Sequence, residues 1–319
     1  MDASSIRSTA AEAAEEENAR RRLAGIPGFS KETTNSARLT RLVGFTNRVY
    51  RVDIEGRSVC LRVPGSGAAA AVDRRAEETN AHLAAEAGVA PKVLYFGEDG
   101  VMLTRFVADA LPLRPERIRT SEGALERGAI ALRRLHDADI TFASSFRVFE
   151  TIDAYAAALQ RLGRTPSDVE QEAIHGMQAI RSALAVHPVP PRPCHCDPTG
   201  RNLLDTGERV WLVDWEYSGM NDPMWDLAYL SIESLLDEAG DRALLTAYFG
   251  HAPEERKAAR MALLKPVAEV MAALWALIQI AEGKTGGDFA VYARATFERA
   301  TQRMGAADFS RHLETLRAG

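Results

Sequence analysis

Three polar residues past the middle of the chain have the types and spacing of a site for a hard cation. The stretch CHCDPTGRNLLDTGERVWLVD contains Asp197, then Asn202, then Asp214. The segment NLLD, the turn Thr206-Gly207 and the segment RVWLVD predict a β-hairpin that places Asn202 and Asp214 at the same end. An amide oxygen and a carboxylate that converge there suit Mg²⁺. Asp197, on the loop just before the hairpin, can face the same point.

Such a set of groups is suited to phosphoryl transfer, in which Mg²⁺ neutralises phosphate oxygens and a carboxylate orients and deprotonates the attacking hydroxyl. Two alternatives have to be considered for these residues. Asp and Asn are also common turn and cap residues. The run Cys194-His195-Cys196 could be half of a zinc site, but a structural zinc needs four nitrogen or sulfur ligands, and the only other cysteine is Cys60.

Composition narrows the class of protein. The 319 residues allow two domains, and a net charge of −5 disfavours a nucleic-acid partner and, more weakly, an anionic membrane surface. Three cysteines are not a disulfide framework, so a reducing cytoplasm is expected. The most apolar stretch, VMAALWALIQIA at 270–281, falls short of the roughly 20 residues that span a bilayer and predicts a buried helix rather than membrane insertion.

The hydrophobic pattern divides the chain into a sheet-rich part and a helical part. Residues 2–24 predict a helix whose runs of Glu and Arg could form an interface or a solvated face, and of the two we expect the solvated face. Residues 39–106 predict two β-hairpins around one helix, and helices predominate after 107. These are predicted at 121–137, 148–162, 167–185, 223–237, 240–249, 252–282 and 286–315. We therefore predict an α+β, two-lobed plan, with an N-lobe of residues 1–106 and a C-lobe of residues 107–319.

The pattern His195-x-Asp197-x-x-x-x-Asn202, followed by Asp214, resembles the catalytic loop and metal-binding aspartate of protein kinases, aminoglycoside phosphotransferases and choline kinases. Further matches over nearly the whole chain resemble the choline/ethanolamine kinase family. The resemblance implies a protein kinase-like fold that uses ATP and Mg²⁺. It also implies that Asp197 is the catalytic base, that Asn202 and Asp214 are the Mg²⁺ ligands, and that His195 supports the loop.

Two N-lobe segments resemble the nucleotide-binding parts of that family. VGFTNRVYRV at 43–52 is similar to the phosphate-binding loop, which implies phosphate contacts for Gly44, Thr46 and Asn47, although Val43 replaces a second glycine. VCLRVPG at 59–65 resembles the strand whose cation contacts the phosphates. That cation is Arg62, positioned by Glu77, and an arginine here favours choline kinases over aminoglycoside enzymes.

The remaining matches concern the phosphate acceptor. Glu216 and Tyr217 resemble a family segment that holds a cationic head group, and Trp275 and Tyr292 resemble aromatic members of the same cage. Ala272 stands where the family has a second tryptophan. The resemblance implies a small cationic alcohol, choline or ethanolamine first, with thiamine or an aminoglycoside as the alternative. A pseudokinase that binds nucleotide without turnover is a third possibility, disfavoured because all three catalytic polar residues are present.

Overall fold

The protein is represented by a computed structural model that describes residues 3–42, 44, 47–65, 72–284 and 288–318. Its chain divides into two compact units, residues 1–109 and 110–319. The first unit is built on a sheet and the second is mostly helical, so the predicted α+β, kinase-like fold class is confirmed.

In chain order the first unit contains α1 (Ala3–Ala24), α2 (Lys31–Ser36), β1 (Arg38–Leu42), β2 (Asn47–Ile54), β3 (Arg57–Pro64), α3 (Arg74–Glu86), β4 (Val93–Phe96) and β5 (Met102–Arg105). The five strands form an antiparallel sheet in the order β1-β2-β3-β5-β4. The two predicted hairpins are β2–β3 and β4–β5. The first hairpin, β2–β3, has its turn at Glu55 and Gly56. Both residues adopt positive φ, as a two-residue turn of type I′ requires.

Helix α1 differs from the prediction of a solvated face. Ala19 and Leu23 are completely buried, and with Ile26 they join the apolar core formed by strand residues such as Val52 and Leu61. The spacing of Ala19 and Leu23 places these two side chains on one side of α1, and Ile26 follows just after the helix ends. The prediction was wrong for this end of α1 because the dense charges of the segment concealed a narrow apolar stripe.

The second unit carries two small sheets among its helices. In chain order it contains β6 (Leu111–Pro112), α4 (Pro115–Thr120), α5 (Ala124–His136), α6 (Val148–Arg161), α7 (Asp168–Val186), β7 (Arg192–Cys194), β8 (Leu203–Asp205), β9 (Val210–Leu212), β10 (Gly219–Asn221), α8 (Pro223–Glu233), α9 (Glu238–Phe249), α10 (Glu255–Ala281), α11 (Phe289–Met304) and α12 (Phe309–Arg317). The predicted hairpin is β8–β9, which β6 extends, while β7 pairs with β10.

Most predicted helices of this unit begin and end within a few residues of the observed ones. The single helix predicted at 286–315 is wrong: it is two helices, α11 and α12, separated near Gly305. The break escaped notice because helical spacing of apolar residues continues on both sides of it.

Helix α10 contains the apolar stretch singled out in the sequence. By length and composition alone it could cross a membrane, but 83% of its most apolar window is buried inside the protein. It packs against α6, α8 and α11, as expected of a helix in the protein core.

Candidate active site

The hairpin β8–β9 brings the two predicted metal ligands to the same end. Leu203 pairs with Leu212, and the backbone N–H of Val213 donates to the carbonyl of Asn202 over 2.9 Å. Asp214 therefore follows directly on the residue opposite Asn202. It adopts a left-handed backbone conformation, with φ of +69°, so the chain changes direction there.

Asn202 is fastened to Asp197 by its side-chain amide. Its Nδ2 donates to the backbone carbonyl of Asp197 over 2.9 Å and to the carboxylate Oδ2 over 3.0 Å. The loop between them is closed by the N–H of Thr199, which donates to the carbonyl of Asp197. Because both bonds use the amide nitrogen, the amide oxygen of Asn202 is left as the acceptor that can face a cation.

Negative charge converges on Asp197. Burial raises the pKa of this carboxyl well above its usual range, and the charges of Asp214, Glu233 and Glu216 raise it further, while a hydrogen bond from Tyr229 opposes them. Carboxylates crowd together in this way at sites that receive a cation. An amide oxygen and carboxylates are also the donor set that a divalent cation such as Mg²⁺ takes, so the residues present fit that ion.

Asp226 holds the loop that carries Asp197. Its carboxylate accepts the backbone N–H groups of His195 over 2.7 Å and of Cys196 over 2.8 Å. The Nε2 atom of His136 lies 3.0 Å from the same carboxylate, and its Nδ1 lies 2.8 Å from the hydroxyl of Tyr248. All five residues are buried. Cys196 needs this support because it adopts a φ of +65°, a conformation that side chains other than glycine rarely take.

His195 occupies a structural position beneath the loop. Its Nε2 donates to the carbonyl of Val213 over 2.9 Å, and its Nδ1 accepts the N–H of Asp197 over 3.4 Å. Burial lowers the pKa of His195, which keeps the ring neutral. Burial also raises the thiol pKa of Cys194 and Cys196 well above the usual range. Because both ring nitrogens of His195 are engaged within the protein, His195 could bind zinc only by giving up one of these bonds, which argues against the zinc half-site.

Tyrosines surround the carboxylates near Asp197. Burial raises the pKa of Tyr217 well above its usual value, and the negative charges of Glu216 and Asp197 add to the effect. The pKa of Tyr155 on α6 is likewise raised, first by burial and then by the charges of Asp197 and Glu216. The predicted acceptor residues Glu216 and Tyr217 are therefore close enough to the predicted base for their charges and that of Asp197 to interact.

Tyr292 and Trp275 are placed differently. The hydroxyl of Tyr292 lies 3.5 Å from Oε1 of Glu233, and the charge of Asp197 also acts on it. Trp275 packs edge-on against Phe289, with ring centroids 5.8 Å apart. Tyr292 therefore lies beside Glu233, one of the carboxylates that act on Asp197, whereas Trp275 contacts a ring of α11.

Sequence reasoning missed three residues of this site: Tyr155, Tyr229 and Glu233. Two of them had a usable signal. Tyr229 and Glu233 lie three and seven residues after Asp226 on α8, so helical periodicity places all three on one side. Tyr155 comes from a helix distant in sequence, and no local pattern marks it.

The predicted phosphate loop is described in part. A Cβ on Gly44 would lie 2.5 Å from the carbonyl oxygen of Asn47, so Gly44 lies too close to Asn47 for any other residue to take its place. Asn47 is buried at the start of β2, and Thr46 lies outside the described residues.

Arg62 and Glu77 form an ion pair inside the first unit. The Nη1 atom of Arg62 contacts Oε1 of Glu77, and the side chains are only 4% and 1% exposed. The neighbouring Glu78 is half-buried. The Nη2 atom of Arg62 also donates to the carbonyl of Gly100 over 3.2 Å. The bond to Glu77 is the pairing that the resemblance implied, and it holds the guanidinium in one orientation.

These features define a small-molecule kinase, and comparison with known proteins agrees. A model of the phosphotransferase enzyme family, APH, matches residues 39–264. A crystal structure of a choline/ethanolamine kinase family protein from Mesorhizobium loti is 39% identical, with a TM-score of 0.86 over 95% of this chain and 99% of that one. Protein LicA of Haemophilus influenzae is 25% identical over 260 residues, 78% of this chain and 75% of the relative. A structure of LicA in complex with AMP is 25% identical, with a TM-score of 0.70 over 84% of this chain and 91% of that one.

The chain therefore belongs to the phosphotransferase enzyme family and, within it, to the choline/ethanolamine kinase family.

Proposed function

We propose that this protein transfers the γ-phosphate of ATP, with Mg²⁺, to the hydroxyl group of a small cationic amino alcohol, choline or ethanolamine. The observation that carries the proposal is the arrangement around Asp197. Its carboxylate is oriented by the amide of Asn202 and lies within the field of Asp214, Glu216 and Glu233. One part of this set suits a divalent cation, and the other suits an organic cation.

Asp197 is the proposed base. The acceptor oxygen forms a bond to the γ-phosphorus, the bond from that phosphorus to the β,γ-bridging oxygen breaks, and ADP leaves. The proton of the acceptor hydroxyl ends on Asp197. The raised pKa of Asp197, caused by burial and by neighbouring carboxylates, makes it a better proton acceptor than an exposed aspartate. Asn202 keeps the carboxylate in one orientation throughout.

Asn202 and Asp214 are the proposed ligands of Mg²⁺. When bound, the ion neutralises charge on the phosphate oxygens. In the first unit, the residues proposed to contact the phosphates are Gly44, Thr46, Asn47 and Arg62. Glu77 is proposed to hold Arg62 in position for that contact. Titration of turnover against Mg²⁺ in wild type and Asp214→Asn tests the metal assignment, because the variant should need a higher concentration of the ion.

The proposed acceptor site combines the faces of Tyr217 and Tyr292 with the carboxylates of Glu216 and Glu233. Aromatic faces and nearby carboxylates are the groups that hold an ammonium ion. Trp275 stays a predicted member of the cage, since its described ring contact is with Phe289. A cytoplasmic location likewise stays a prediction, based on three cysteines that are too few for a disulfide framework.

The test is an ATP-consumption assay with Mg²⁺ and four acceptors: choline, ethanolamine, thiamine and kanamycin. Turnover with choline or ethanolamine, at the highest kcat/KM of the panel, supports the proposal. A preference for thiamine or kanamycin would replace the acceptor and leave the phosphotransferase. ATP binding without turnover on any acceptor, measured with the same preparation, would favour the pseudokinase.

A further inference from the structure

Glu269 on α10 is a fully buried carboxylate that ties this helix to α11. The Nε atom of Arg303 donates to both of its oxygens, over 3.1 Å to Oε1 and 3.0 Å to Oε2. The Nε atom of Arg299 lies 3.4 Å from Oε1 and forms an ion pair with the same carboxylate. Both arginines belong to α11, so one buried group on α10 holds two successive turns of the neighbouring helix.

A second buried charge on α10 is tied to α8. Lys265, one helical turn before Glu269, has a side chain that is 3% exposed, and its Nζ donates to Oδ2 of Asp241 on α9 over 2.5 Å. The other carboxylate oxygen of Asp241 accepts the hydroxyl of Ser231 on α8. Ser231 lies two residues before Glu233, which is proposed to bind the acceptor. Helix α10 therefore has polar links to both α8 and α11.

The side of α11 that carries the two arginines also carries Tyr292. The positions 292, 296, 299 and 303 follow the helical spacing of three and four, which aligns their side chains along one side of the helix. Within this row, Nη2 of Arg299 donates to Oγ1 of Thr296 over 2.9 Å, and that hydroxyl donates to the carbonyl of Tyr292 over 2.7 Å. At the far end, the hydroxyl of Tyr292 lies 3.5 Å from Oε1 of Glu233. Rotation of α11 about its axis would move both ends of this row together.

Apolar packing by itself defines that rotation poorly. The buried apolar residues of α11 are Ala293, Phe297 and Ala300, and two of them have very small side chains. Hydrophobic attraction is also non-directional. The pairing of a guanidinium group with a carboxylate has a preferred geometry. The contact of Glu269 with the two arginines is therefore the one that fixes how α11 is turned.

We propose that Glu269 is a positioning residue for the phosphate acceptor, which fixes the rotation of α11 through Arg299 and Arg303 and so holds Tyr292 beside Glu233. This inference rests on the proposed function, in which Tyr292 and Glu233 bind the cationic head group. Loss of Glu269 should weaken binding of the acceptor and leave binding of ATP unchanged. A residue that only stabilised the fold would change the amount of active protein and leave the KM for the acceptor as it is.

The test is a double-mutant cycle on the KM for the acceptor that wild type prefers, measured with the full chain and saturating ATP. Glu269→Gln keeps the size of the side chain and removes its charge, whereas Tyr292→Ala removes the ring that α11 positions. We expect each variant to raise the acceptor KM about tenfold, as loss of one charged or aromatic partner predicts, with the KM for ATP unchanged. The double variant should also stay near tenfold, because no ring remains to be displaced, whereas independent effects would multiply to about 100-fold.

Glu298→Gln, at an exposed position of α11, is the matched control and should behave like wild type. If thermal unfolding shows that Glu269→Gln does not fold, Arg303→Gln takes its place in the cycle with the same expected result. It breaks the same link at the end of α11 away from Tyr292, and the Arg303 side chain is 33% exposed.

Effects that multiply in the cycle, or an acceptor KM equal to wild type in Glu269→Gln, would overturn the role of Glu269 and leave the kinase intact. Absence of turnover by wild type with every acceptor would overturn the proposed function and the inference with it.

Discussion

Asn202 donates two hydrogen bonds to Asp197 from one nitrogen atom, to the backbone carbonyl over 2.9 Å and to the carboxylate over 3.0 Å. The residue proposed to bind the metal thus also sets the direction of the proposed base. The amide suits both tasks, because its nitrogen donates while its oxygen accepts.

Replacement of Asn202 should therefore damage chemistry more than nucleotide binding. We expect Asn202→Ala to lower kcat by about 100-fold or more, as loss of a group that orients the reacting atoms does. The affinity for ATP measured without Mg²⁺ should stay within about twofold of wild type. Asn35→Ala, at an exposed position on α2, is the control. A kcat equal to wild type in Asn202→Ala would contradict the assignment.

The Asp226 network should contribute to both stability and rate. Asp226→Asn places an amide where two backbone N–H groups and His136 now meet a carboxylate. We expect a loss of about 2–4 kcal/mol in the free energy of unfolding, measured with urea, together with a lower kcat. Tyr248→Phe removes only the outer hydrogen bond to His136 and should cost about 1 kcal/mol. Equal stability of wild type and Asp226→Asn would contradict this account of the loop.

Part of this site could be predicted from local sequence. The alternating pattern of β8 and β9 with a Thr-Gly turn determines the hairpin, and the hairpin places Asn202 and Asp214 together. The contact between Arg62 and Glu77 was implied by the resemblance to the choline/ethanolamine kinase family, because the strand and helix patterns alone do not select this pair.

Contacts between distant segments left no such pattern. The proximity of Tyr155 to Asp197 depends on how α6 packs in the second unit, and the burial of Leu23 depends on which side of α1 meets the sheet. Glu77 also contacts Arg74 of its own helix, and this second contact was missed for another reason. Arg74 lies in a run of charged residues, where each one looks solvated until the packing of the helix is known.

The contribution of Asp205 to the free energy of unfolding should depend on pH. Burial alone would raise its pKa, but bonds from Arg127, Gly207 and Arg117 hold the pKa below its usual value. The folded protein therefore binds this proton less readily than the unfolded chain. The stabilisation is complete above the unfolded pKa, near 4, and is lost as the pH falls through the lower folded value.

The measurement is the urea midpoint of wild type and Asp205→Asn between pH 7 and pH 3. We expect the variant to be less stable at pH 7 by about 2–3 kcal/mol, because Arg127 loses a buried partner. The gap between the two proteins should narrow as the pH falls below 4. A gap that stays constant down to pH 3 would contradict the lowered pKa of Asp205.

Glu233 should contribute to binding of a cationic acceptor. Its carboxylate lies beside Tyr292 and within the field of Asp197, so Glu233→Gln removes a charge that attracts an ammonium group. We expect the KM for choline or ethanolamine to rise about tenfold while the KM for ATP stays unchanged. Glu238→Gln, whose side chain is 90% exposed, is the control. Equal KM values for the acceptor in Glu233→Gln and wild type would remove Glu233 from the acceptor site.

The most direct test of the central claim follows phosphorylated choline and ethanolamine by mass spectrometry in the presence of ATP and Mg²⁺. Wild type is compared with Asp197→Asn and with Asp139→Asn, a control at an exposed position. We predict product from wild type and Asp139→Asn, and a rate lower by about 1,000-fold or more in Asp197→Asn, with ATP binding retained. Equal rates of product formation in Asp197→Asn and wild type would contradict the proposed base, and with it the mechanism.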